Sequence, residues 1–115
     1  LTNPTPTNDV LFSHALLGDD ATAVTENDHK LGNEVYRNPI TSKTKVGNVA
    51  YATAFFAQTE VSGTFKEAGI VSDGNDWEGG DGKDTGVLAS HVNINVTKTN
   101  TQKLTIDWML TLVNA

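Results

Sequence analysis

Residues 104–113 read LTIDWMLTLV. Leu104, Ile106, Trp108, Leu110 and Leu112 alternate with Thr105, Asp107, Met109, Thr111 and Val113. Five large apolar residues at a strict period of two predict a half-buried strand, because successive side chains of an extended chain point to opposite faces. Burying that face is worth several kcal/mol, at about 1.5–3 kcal/mol per large apolar side chain. Trp108 is therefore expected in the core.

The same alternation extends outward from this stretch. Residues 87–96 set Val92, Ile94 and Val96 on one face and His91, Asn93 and Asn95 on the other. His91 is read as an outward strand residue. Residues 97–101 form a polar turn. Residues 49–57, VAYATAFFA, set Val49, Tyr51, Thr53 and Phe55 against Ala50, Ala52, Ala54 and Phe56. The small residues of the second face predict close packing against another layer. Gly47-Asn48 ahead of them is a hairpin signal. In residues 63–71, Phe65 and Val71 are expected to oppose Ala68 and Ile70. Residues 31–37, 40–46 and 10–17 supply the remaining extended segments, with Pro39 as an interruption and residues 21–30 as a loop. Residues 1–9, LTNPTPTND, are an arm or linker, since two prolines exclude a helix. The expected fold is an antiparallel β-sandwich of about six to eight strands in one domain spanning residues 10–115.

Composition narrows the function classes. The formal net charge is -6, from 14 acidic and 8 basic residues. That balance disfavours nucleic acid and anionic membranes, both of which are bound through Lys and Arg. No apolar run reaches the roughly 18 residues that span a bilayer. With no cysteine, disulfides and thiolate metal sites are excluded. The chain opens on Leu1 with no signal-peptide pattern, as expected of a processed or excised piece of a longer protein.

No catalytic constellation stands out. His14, His29 and His91 lie in three separate segments without metal-ligand spacing, and no serine sits in a nucleophile-elbow pattern. No catalytic, cofactor or metal residues are assigned. Residues 73–86, DGNDWEGGDGKDTG, form a long acidic loop. Asp73, Asn75, Asp76, Glu78, Asp81 and Asp84 offer the oxygen ligands that calcium prefers. Trp77 occupies the place where an EF-hand needs Asp or Asn, and the loop reads as solvated with no tight calcium site. Trp77 is expected to be exposed, as a partner anchor or a sugar-stacking platform, with folding back onto the domain as the alternative. Glu67 lies in an otherwise apolar run and needs a partner, for which a bidentate pair with Arg37 is expected. Asn95-Val96-Thr97 is an acceptor sequon of little weight in a chain this rich in Asn and Thr.

Several short motifs form a series: LGDDATA at residues 17–23, LGNEVYR at 31–37, Gly47 with the aromatic strand to Phe56, FKEAGI at 65–70, GVLA at 86–89, and the strand 104–112. Over residues 10–113 this series resembles a widespread group of structural domains in tail, fibre and capsid-associated proteins of bacterial and archaeal tailed viruses. The resemblance implies a β-sandwich without enzymatic activity that sits on a virion as a homo-oligomer. A trimer or pentamer in contact with other virion structural proteins is expected. Trp77 and Met109 are the expected partner contacts. A carbohydrate-binding or host-adhesion module, with Trp77, Tyr36 and the acidic loop as its site, is the rival reading.

Overall fold

The computed structural model describes residues 12–111. Seven strands succeed one another: β1 (Phe12–Gly18), β2 (Glu34–Pro39), β3 (Ser42–Val46), β4 (Val49–Phe56), β5 (Gly63–Ser72), β6 (Val87–Lys98) and β7 (Leu104–Thr111). They form a four-stranded sheet, β2-β1-β5-β6, and a three-stranded sheet, β3-β4-β7, with every pairing antiparallel. The fold is the all-β sandwich that the alternation predicts. The arm expected at residues 1–9, and Leu112 and Val113, lie outside the described residues.

The three-stranded sheet keeps to the pleat without error. Its β4–β7 pairing runs unbroken from Val49 opposite Thr111 to Phe56 opposite Leu104. Ala50, Ala52, Ala54 and Phe56 are buried, as is Trp108, which is 8% exposed. The alanines let the other sheet approach closely, and Ala15, Leu17, Ala68 and Ile70 fill the space between. Gly47, at φ 61°, takes the first central position of the two-residue β3–β4 turn, where a type II′ hairpin calls for glycine.

The four-stranded sheet breaks the pleat four times, with register shifts between Phe12 and His14, Leu17 and Gly18, Phe65 and Glu67, and Ile70 and Val71. Each extra residue moves the rest of its strand to the other face. Ile94 and Asn95 together face the single Lys66, and Phe65 joins the cluster of Ala68 and Ile70 instead of opposing it. The expected Phe65–Val71 face is therefore wrong. Val71 lies on the outer side with Leu16, and Leu31 packs onto both. Leu31 is no strand residue; β2 starts three positions later, at Glu34. Gly69 makes room for it, since a Cβ there would stand 2.9 Å from Leu31 Cδ2.

The core position of Trp108 sets a testable magnitude. Trp108→Ala is expected to lower stability by about 3–5 kcal/mol, as large-to-small core truncations do. Urea denaturation monitored by circular dichroism measures it, and an unchanged midpoint would contradict the β7 register.

Candidate functional site

The outer face of the four-stranded sheet carries three sets of ionisable side chains bonded to the loops above it. The bulge at Val35 places Glu34 and Arg37 on the same side of β2, although residues three apart on a regular strand point in opposite directions. Both side chains are fully buried. Arg37 Nε donates to Glu34 Oε2 at 2.6 Å and Nη2 donates to Oε1 at 2.8 Å, a bidentate pair. Arg37 Nη1 donates to the Asn75 carbonyl at 3.2 Å and to Thr85 Oγ1 at 3.1 Å. Glu34 Oε1 also accepts the Asp84 backbone N–H at 2.9 Å. One ion pair thus holds both ends of the acidic loop, residues 73–86.

The expected Arg37–Glu67 pair does not form. Glu67 instead accepts backbone N–H groups from Asp20, Gly32 and Asn33, at 3.1, 2.7 and 2.8 Å. Its Oε1 also lies 2.8 Å from His91 Nε2, while His91 Nδ1 lies 2.8 Å from Asp28 Oδ2. Only a doubly protonated ring donates to both carboxylates. His91 does point to the outer face, as its position suggests, but it is not exposed there: its side chain is 8% exposed beneath the loop of residues 19–33. Asp28 is held below the ordinary aspartate value of 3.8, chiefly by the Thr25 backbone N–H, and Asp20 likewise by the Thr22 hydroxyl.

A third set fastens the acidic loop to β1. The bulge at Ser13 puts its hydroxyl beside His14, with Oγ 2.9 Å from Nδ1, and His14 Nε2 lies 2.7 Å from Asp76 Oδ1. Ser, His and Asp succeed one another as in a nucleophile–base–acid chain. Here, however, Ser13 Oγ accepts the Gly74 N–H at 2.8 Å and donates to the Val71 carbonyl at 3.4 Å. The Gly74 backbone sits so close that a Cβ there would stand 3.2 Å from His14 Nδ1. The chain of bonds anchors a loop; it leaves the hydroxyl no open approach from that side.

Trp77 does not stand free in solvent. It is half-buried against Tyr36, with ring centroids 5.6 Å apart, and Tyr36 meets Phe56 of the core edge-on at 6.2 Å. Burial, with Glu60 beside the hydroxyl, pushes the Tyr36 phenol up. Next to Trp77, a shallow pocket of about 370 Å³ is lined by Asn75, Asp76, Glu78, Asp81 and Gly82. Two of the loop's carboxylates are already engaged, Asp76 with His14 and Asp84 with Lys30. Among the described residues no three His, Cys, Asp or Glu side chains converge as a metal site requires.

Met109, the other expected contact residue, is 70% exposed on the outer face of the three-stranded sheet. Tyr51 lies opposite it, and Phe55 further along the same face is also exposed. Lys98 is a buried residue that the sequence reading missed. Its ammonium donates to the carbonyls of Gln58, Val61 and Thr99 at 2.9, 2.7 and 3.3 Å, which uses all three of its protons.

Two outcomes test this network. Arg37→Ala strands a buried carboxylate and is expected to cost about 3–5 kcal/mol, while making residues 73–86 sensitive to limited proteolysis. Acid acts on the other loop. Because the folded-state values of Asp20 and Asp28 are depressed, their contribution is complete above the ordinary aspartate value of 3.8 and is lost as pH falls through the depressed values. Stability measured by urea titration is expected to decline below about pH 4, and Asp28→Asn is expected to flatten that decline. The chain matches no protein-family model and no curated protein sequence.

Proposed function

We propose that this domain is a non-enzymatic structural subunit of a tailed virus particle, in a fibre, turret, decoration or tail position. It works as a homo-oligomer, a trimer or pentamer, and contacts other virion proteins. The motif series along residues 10–113 supports the reading, and the sandwich is of the kind that the resemblance implies.

The observation that carries the self-assembly is an asymmetry between the two outer faces. The outer face of the four-stranded sheet is closed by the chain's own loops over Leu16, Val71, Glu34, Arg37 and Glu67. Among the described residues nothing covers the outer face of the three-stranded sheet, where Met109 is 70%, Tyr51 42% and Phe55 39% exposed. Apolar surface left over on one face and sealed on the other is characteristic of a contact surface. Ala52 does not belong to that surface, because it faces the core. A second reading, a carbohydrate-binding or host-adhesion module, is favoured by Trp77 stacked on Tyr36 beside the pocket of residues 75–82.

Mass spectrometry of purified virus particles is the deciding measurement, and the chain is expected among the particle proteins. In light scattering, Tyr51→Glu with Phe55→Glu is expected to give folded, dissociated subunits. A chain that is absent from particles and monomeric at high concentration would replace this reading with the binding module, whose test is a glycan-binding screen of Trp77→Ala against the parent.

A further inference from the structure

Four strands lie at sheet edges: β2, β3, β6 and β7. An exposed edge offers unpaired backbone donors and acceptors, and natural sheets protect it with short strands, lysine, proline or bulges. Three of the four edges are protected in these ways. β2 carries a bulge and ends in Pro39. β3 has five residues, two of them Lys43 and Lys45. β6 is interrupted by two bulges. β7 has none of these devices. Its eight residues, LTIDWMLT, keep an unbroken register, contain no lysine or proline, and carry one charge, Asp107, which already accepts the Thr53 hydroxyl at 2.8 Å.

Among the described residues the same side of the sandwich is open. β2 passes directly into β3 and so closes the opposite side, where the Ile40 N–H reaches the Ser13 carbonyl and the Thr41 N–H the Thr53 carbonyl. Between β6 and β7 an apolar seam of about 450 Å³ remains, lined by Val92, Ile94, Val96, Ile106 and Trp108 among others. Trp108 Nε1 lies in this region and is buried. Among the described residues it is the buried side-chain polar atom that lacks a hydrogen-bond partner. A buried indole N–H without an acceptor is costly, and such groups are normally satisfied.

The geometry points to β7 as a pairing edge that takes β7 of a second copy, antiparallel and about a two-fold axis, joining two three-stranded sheets into one of six. The pairing supplies a surface for the self-association in the proposed function and rests on that reading for its role. A two-fold contact closes after two copies, so a ring of three or five uses the bare outer face as well.

Charge and pleat set the register. To keep the apolar faces of the two copies continuous, the sums of paired residue numbers must be even. The strand midpoint then leaves two choices. Centring on Asp107 sets two carboxylates directly opposite each other, which is unfavourable. Centring on Trp108 sets Ile106 against Leu110 of the second copy, Thr105 against Thr111, and Asp107 against Met109. The two seams then face each other, and the orphaned indole N–H lies at the junction.

This register makes the sign of charge at position 109 decisive. Met109 is exposed, so substitutions there are expected to leave the fold intact, with circular dichroism and the urea midpoint as the check. Sedimentation velocity of the full chain is expected to show a reversible dimer. Met109→Glu, which faces Asp107 of the second copy twice across the two-fold, weakens it on the order of tenfold. Met109→Lys, in the same place, holds or tightens it. Asp107→Cys with Met109→Cys, in a chain without native cysteine, cross-links to dimers under mild oxidation. Equal weakening by Glu and Lys would overturn the edge pairing in favour of stacking through the outer face. A full-length chain that is monomeric at several hundred micromolar overturns it too, and protection of the β7 amides from exchange in that monomer would assign the edge to residues 1–11 of the same chain. Presence in particles without the charge-sign effect would remove the edge pairing and leave the proposed function standing; the converse pattern would do the opposite.

Discussion

A guanidinium and a carboxylate, buried with no exposed surface, organise the outer layer of this molecule. Arg37 and Glu34 lie on a bulged edge strand. Between them they bond to Asn75, Asp84 and Thr85, at the two ends of a fourteen-residue loop. Such a pair contributes little net stability over an apolar replacement, because desolvating two charges offsets most of their attraction, but losing one partner is severe. Its effect is to specify where the loop goes. Positive φ at Asp73 and Asp84, 56° and 65°, turns the chain sharply near each end, in a conformation that aspartate tolerates better than most residues.

The same device recurs at the other loop. Glu67 takes three backbone N–H groups from residues 20–33 and one ring nitrogen of His91, and so replaces the strand partner or turn that would otherwise satisfy them. Two irregular segments, 14 and 15 residues long by number from 73–86 and 19–33, are thereby fixed to one sheet face by side chains rooted in strands. Those loops bury Leu16, Val71, Glu34, Arg37 and Glu67 on that face. Among the described residues no loop lies above the three-stranded sheet, and Met109, Tyr51 and Phe55 are exposed on its outer face.

Legibility differed between the sheets for one physical reason. In β4 and β7 the register never slips, so the period-two pattern read along the chain is the pattern in space; Trp108 is inside and Met109 outside on that basis alone. In β1, β2, β5 and β6 four bulges change the face in mid-strand. The positions of Phe65 and of the Glu34–Arg37 pair could not be obtained by counting residues, because bulges carry no strong local signal beyond an occasional glycine. That Glu67 needed a partner was readable from its apolar neighbours. Which partner it takes was not, since Asp20, Gly32, Asn33 and His91 meet it only after two loops have folded.

Sequence by itself determined the all-β class, the hairpin at Gly47, the close packing at Ala50, Ala52 and Ala54, and the burial of Trp108. Those depend on local periodicity and on side-chain size, which are properties of neighbouring residues. Tertiary structure alone decided the partners of the buried charges, the resting place of Trp77 on Tyr36, and the place of β7 at the edge of its sheet. Each of those depends on which strand ends up beside which, and that is set by the summed packing of the whole chain rather than by any segment of it.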